Sequence, residues 1–246
     1  MALQLGSRRF APSLFATVLV LVGIVSVSHL GVWQLNRAAE KRAVLAQIAA
    51  GESATRALDS PDTALQRYQT VTATGRYDAA HQILLDNMPS QRGMPGLRVL
   101  TPFELREGGW ILVDRGWLPM GASRANLPSI DVDTNERTIV GRLDDVPRPG
   151  LRLGSAPTGE GWPRVMNFPQ HADLERVLGR RLAQRIVRLD PSQRDGYERI
   201  FAMRSDFGPN RHIAYAVQWF ALAAAMLVIY ILVNLKPKSH DDSGST

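Results

Sequence analysis

Two of the five histidines stand apart from the rest. His212 opens the stretch Asn210 to Leu235, which from Ile213 onward carries no charged residue over 23 positions. Tyr215 and Trp219 follow it at i+3 and i+7, on one helical face. His29 lies inside Leu14 to Leu35, a second run of 22 positions without charge. Imidazole is a common metal ligand and changes charge near neutral pH. Ionisable groups inside apolar spans are expensive and tend to mark functional sites. His212 reads either as an interfacial residue of the kind found in Tyr and Trp belts, or as an axial ligand of haem iron. In the second reading an apolar macrocycle lies between two helices, against Tyr215, Trp219 and Trp33, and Arg211 pairs with a propionate at the wet edge. His29 reads either as a neutral ring bonded to Gln218 or to backbone, or as a second axial ligand. His81 lies between two strands, His171 in the first turn of a short helix and His240 in a polar tail, and all three read as surface or capping residues.

Both uncharged runs exceed the roughly 20 residues that a helix needs to span a bilayer. The first is too long for the apolar segment of a signal peptide, and Trp33, Gln34 and Asn36 occupy the place where small residues would mark cleavage. It is expected to be retained. Arg8 and Arg9 precede the first span, and Lys236 and Lys238 follow the second. Basic flanks face the cytoplasm, which puts both termini inside and the intervening 36–211 in the periplasm. Trp33-Gln34 and Gln218-Trp219 then sit near the periplasmic ends of the two helices, where their amides are expected to hold the helices together. The expected fold is a membrane protein of the α+β class. Its segments are a tail (1–11), a transmembrane helix (12–35), a periplasmic antiparallel β-rich, barrel-like domain (36–211), a second transmembrane helix (212–235) and a tail (236–246).

Within the middle segment, Asn36 to Ala50 is rich in Ala, Arg, Glu and Lys, so the first helix should continue to about Gly51. A linker containing Pro61 leads to Tyr68–Tyr77, where the period changes to two and marks a strand. Further strands are expected at Gln82–Asp86, Arg98–Phe103, Gly109–Asp114, Glu136–Leu143, Gln184–Leu189 and Tyr197–Ala202. His171–Gly179 has helical spacing, and the proline-containing 144–163 reads as an irregular loop. Asp144-Asp145 is expected to be a solvated turn.

Of 29 basic residues 25 lie in the middle segment, with 21 of the 23 acidic ones, and they are scattered. That distribution speaks against nucleic acid. With no cysteine, thiol redox chemistry and thiolate metal sites are excluded. No P-loop, dinucleotide fingerprint, hydrolase elbow or zinc motif occurs, and no acid, base and nucleophile converge, so the chain is not expected to be an enzyme.

Five stretches, in order, resemble the surfeit locus protein one family of cytochrome c oxidase assembly factors. They are Gly31-Val32-Trp33-Gln34 with Arg37; YQTVTATGRY at 68–77; VLTPF at 99–103; ILVDRGWLP at 111–119; and RHIAYAVQWF at 211–220. Arg115-Gly116-Trp117 is the most specific. The resemblance covers about 25–235. Gln69-Thr70 departs from the basic-proline pair common after the strand tyrosine, and the segment after Pro147 matches poorly. The resemblance implies a multi-pass protein of the bacterial inner membrane that binds haem a and aids its insertion into oxidase subunit I, receiving it from haem a synthase. It also implies that His212 is the haem ligand. His29 is outside the motif. A scaffold that stabilises subunit I without holding haem is the alternative. Arg115-Gly116-Trp117 is expected at a strand end with Trp117 buried, serving the fold or a contact with the oxidase.

Overall fold

The computed structural model describes residues 3–5, 8–63, 65–90, 92–121, 127–147, 161–199 and 208–237. In chain order its elements are β1 (Leu3–Leu5), β2 (Arg8–Phe10), α1 (Leu14–Glu52), β3 (Arg56–Ala57), β4 (Thr70–Tyr77), β5 (Ile83–Pro89), β6 (Pro95–Leu105), β7 (Trp110–Pro119), β8 (Arg137–Asp144), β9 (Arg164–Met166), α2 (His171–Leu178), β10 (Ile186–Leu189), α3 (Pro209–Asn234) and β11 (Leu235–Pro237). His240, most of the loop after Pro147, and the last part of the strand expected at Tyr197–Ala202 lie outside the described residues. The chain divides into two compact units, 1–44 with 205–246, and 45–204.

The first unit is a helix pair. Both α1 and α3 are long and apolar enough to cross a membrane. The 26 residues of α3 extend about 39 Å at 1.5 Å per residue, more than a hydrocarbon core of about 30 Å. Pro209 starts α3 in the position where its missing N–H costs nothing. The helices run antiparallel. Thr17 Oγ1 meets the Tyr230 hydroxyl at 2.6 Å near one end, and Gly31 faces the Phe220 ring further along, where a Cβ would come within 2.7 Å of it. Small residues at such contacts let helix backbones approach. Beyond the helices, β1, β2 and β11 form a three-stranded antiparallel sheet joining the two ends of the chain. Three-residue strands carry no periodic signal, so the sequence showed only tails there.

The second unit is built on one sheet. Strands β4, β8, β10, β7 and β6 are neighbours in that order, and β6 pairs again with β4, which closes a five-stranded barrel. β6 serves two partners along one edge, β5 at Pro95–Leu100 and β4 at Phe103–Leu105. The barrel is filled by alternate residues of every strand, among them Val71, Phe103, Val113, Ile139 and Val187. On the other face, Leu100, Leu112 and Ile186 pack against Leu174 and Leu178 of α2. Gln170 and Asp173 form a capping box at the start of α2, and Gly179 ends it in the left-handed conformation.

The sheet is mainly antiparallel, as expected, with three parallel pairings among the described strands. β10 runs parallel to β7, β3 to β4, and β9 to β5. The expected strand at Tyr197–Ala202 is reduced, among the described residues, to a bridge between Glu198 and Trp117. Helix α1 continues past the expected stop at Gly51 by one residue. Gly51 is there for close approach, since a Cβ would fall 2.2 Å from the carbonyl oxygen of Tyr68.

Candidate functional site

His212 stands in the first turn of α3, half-buried, on the side that faces α1. Its Nδ1 is 2.7 Å from Oε1 of Gln34. An amide oxygen only accepts hydrogen bonds, so Nδ1 carries a proton, and in the neutral imidazole the lone pair is then on Nε2. The two residues are 178 positions apart and meet because α1 and α3 are antiparallel. A histidine ligand whose other nitrogen donates to a fixed acceptor has its tautomer and ring orientation set. Gln34 is therefore a positioning residue. Its place in a Trp-Gln pair marked it as an inter-helix contact, but nothing local pointed to His212 as its partner.

The remaining candidates are distributed unevenly. Trp219 is half-buried and lies one helical repeat beyond His212. Tyr215 is 42% exposed, at the edge of that face. Trp33 is 47% exposed, and the Arg37 guanidinium lies 5.8 Å from its ring centre. Arg211 is exposed beside His212. His29 is exposed on the side of α1 turned away from α3, because Gly31 and Gln34 define the inward side and residue 29 lies about 200° around the helix from residue 31. The structure thus brings Trp219 and His212 onto one face and leaves His29 off it. Gln218, the expected partner of His29, is exposed on α3.

In the second unit, Arg115-Gly116-Trp117 sits inside β7 at a β-bulge rather than at a strand end. Arg115 is 2% exposed and so presents little surface to a partner. Its guanidinium donates to Gln82 Oε1 at 2.9 Å and to the carbonyls of Ile130, Asp131 and Asp195 at 2.9, 2.9 and 2.7 Å. Gly116 takes φ +113°, and a Cβ there would fall 2.8 Å from the carbonyl oxygen of Glu198. Trp117 is buried and donates Nε1–H to the Met88 carbonyl at 2.8 Å. The motif pins β7 to the segments around Gln82, Ile130 and Asp195, which favours a role in the fold.

His81 Nδ1 is 2.8 Å from Asp78, which also accepts from Arg180 at 3.0 Å. His171 Nε2 meets the Ala183 carbonyl at 2.9 Å, a tether rather than a cap. Asp144 is not in a solvated turn. It is buried at the end of β8, 2.7 Å from Arg67 Nε and 3.2 Å from Arg188 Nη1. Among the described residues no group of three or more His, Asp or Glu side chains could hold a metal ion.

The family model described as "SURF1 family" matches residues 21–224. A SURF1-like protein of Rickettsia bellii is 30% identical over 229 residues, covering 86% of this chain and 87% of its own length. A SURF1-like protein of Rickettsia conorii is 28% identical over 230 residues, 87% of this chain and 89% of its own. An uncharacterized SURF1-like protein of Mycobacterium tuberculosis is 26% identical over 184 residues, 73% of this chain and 65% of its own.

Proposed function

Because this chain belongs to the SURF1 family, we propose that it is an assembly factor for haem–copper cytochrome c oxidase that holds haem a on His212 and aids its insertion into subunit I. One observation carries the haem reading. His212 donates from Nδ1 to Gln34, which leaves Nε2 as a lone pair fit for iron. The donor set suits haem in two further respects. Trp219 supplies an aromatic wall on the same face, and Arg211 next to His212 offers a guanidinium to a carboxylate. Haem is the cargo here, and the protein catalyses no reaction. Its own residues orient one imidazole, with Nδ1 turned to Gln34. His212 is the single protein ligand in this reading, since His29 is on the outward side of α1.

The same reading places the chain in the inner membrane as a two-span protein with both termini in the cytoplasm. The pairing of β2 with β11 supports this, because it sets Lys236 opposite Arg9 at one end of the helix pair. Subunit I and haem a synthase are the partners it would meet. The test is complementation. In a bacterium deleted for its own copy, the wild-type chain should restore the haem a absorbance of the oxidase in membranes, and His212→Ala should not. Full restoration by His212→Ala would remove the haem role and leave the scaffold reading.

A further inference from the structure

Helix α1 has two sides. One is turned to α3: Gly23 lies against Met226, Gly31 against Phe220, and Gln34 bonds His212. On the other side Val18, Val22, Val25, His29, Val32 and Asn36 follow one another at intervals of four and three. At 100° per residue these positions share an arc of about 80°, roughly opposite the α3 side. All of them are exposed.

Valines on such a face need no protein partner in a membrane, because lipid tails are as apolar as they are. His29 does. It stands six positions before the end of the uncharged run at Leu35, roughly 9 Å along the axis. It takes part in no hydrogen bond or ion pair among the described residues. Thr17 and Gln34, by contrast, bond across to α3, and Ser26 bonds the Val22 carbonyl of its own helix. Acyl chains carry neither donors nor acceptors, and an ionisable side chain inside a span faces protein or water rather than lipid.

The spacing selects the partner. Intervals of four and three form the seam of a left-handed helix pair, and His29 and Asn36 stand seven apart, at the same position of that seam. Two copies of this chain enter one membrane in the same sense, so their α1 helices run parallel. A two-fold axis between them puts each seam residue opposite its own counterpart. Valine then meets valine, His29 meets His29 and Asn36 meets Asn36. A neutral imidazole and an amide each carry both a donor and an acceptor, so each is complementary to itself. A polar residue at one seam position fixes register and the number of strands. An unrelated helix would need polar groups at both matching positions, whereas a second copy supplies them by symmetry.

We infer that α1 is a dimerisation helix: two copies of the chain pair through the outer side of α1, with His29 of one copy bonded to His29 of the other. The inference rests on α1 crossing the membrane and does not depend on haem at His212.

The chain has no cysteine, so single substitutions report contacts without background. Val22→Cys and Val25→Cys lie on the seam; Leu30→Cys and Val228→Cys are exposed but off it. Each full-length variant is oxidised in native membranes and run on a non-reducing gel. The seam variants should give disulfide-linked dimers in several-fold higher yield than either control. Adding His29→Leu to Val25→Cys should lower that yield roughly threefold or more, the size of one interhelical hydrogen bond in a membrane. His29→Asn, which keeps a donor and an acceptor, should retain it. The cysteine-free chain in mild detergent should have the native mass of two copies. Equal yields at seam and control positions overturn the inference, as does an undiminished yield in His29→Leu. A native mass of one copy bound to a different protein also overturns it and gives the face to that protein. Alkaline extraction tests the span separately. A chain that stays in the membrane without cross-linking fails only as a dimer, and one that washes out fails as a membrane protein too.

Discussion

Gln34 Oε1 accepts the Nδ1–H of His212 at 2.7 Å, across the interface between α1 and α3. Near the other end of the helix pair, Thr17 meets Tyr230 at 2.6 Å. The two contacts fix the register of the helices, and the first also fixes a tautomer. Gln34→Leu should therefore weaken haem binding without removing the ligand. Loss of such a supporting partner costs roughly 10- to 100-fold in affinity at metal sites. Haem titration of the purified variant checks this, and an unchanged affinity would separate Gln34 from the site.

Arg115→Leu should act through stability. The substitution withdraws the donor from the carbonyls of Ile130, Asp131 and Asp195 and from Gln82. Leaving buried acceptors without a donor costs roughly 1–3 kcal/mol for each group left unsatisfied. The melting temperature should fall together with oxidase assembly. Lost assembly at a normal melting temperature would assign Arg115 to a contact instead.

Gly75→Ala tests the closure of the barrel. A Cβ on Gly75 would stand 1.9 Å from the Glu104 carbonyl oxygen, where β4 meets β6. Backbone cannot yield as a side chain can, so the loss should be about 3 kcal/mol, at the upper end for overpacking. Denaturant unfolding measures it, and a cost below about 1 kcal/mol would mean that this seam is looser than described.

Tyr77→Phe should be tolerated and should change the alkaline limb. The Tyr77 hydroxyl is buried and, among the described residues, has no hydrogen-bond partner. Replacing it removes a desolvated group at no loss of bonding, for a gain of about 1 kcal/mol. Burial, aided by Asp195, pushes its pKa well above the ordinary value, against the opposing charge of Arg115. A raised folded pKa favours the protonated form. Stability from this group is thus complete below the unfolded pKa of about 10 and is lost as pH rises through the folded value. Unfolding free energies measured from neutral to alkaline pH should fall less steeply in Tyr77→Phe than in wild type.

The parts that were legible in the sequence are those with local signals. Uncharged runs revealed both long helices, alternation revealed β4, and spacing revealed α2. What stayed hidden depends on distant partners. The parallel run of β10 beside β7 follows from barrel closure, which no local period encodes. Asp144 read as a solvated turn because its partner Arg67 is 77 positions away. His212 drew notice by its type and place, yet its link to Gln34 needed the register of two helices at opposite ends of the chain. His29 drew notice for the same reason, as the weaker candidate, and helical geometry turned it outward.

The central claim rests on the Nε2 of His212. The direct measurement is the visible spectrum of the full-length chain, purified after coexpression with haem a synthesis, as wild type and as His212→Ala. The account predicts a haem a spectrum that survives purification of the wild type and is absent from the variant, with both proteins melting at similar temperatures. An undiminished haem a spectrum in His212→Ala would contradict it.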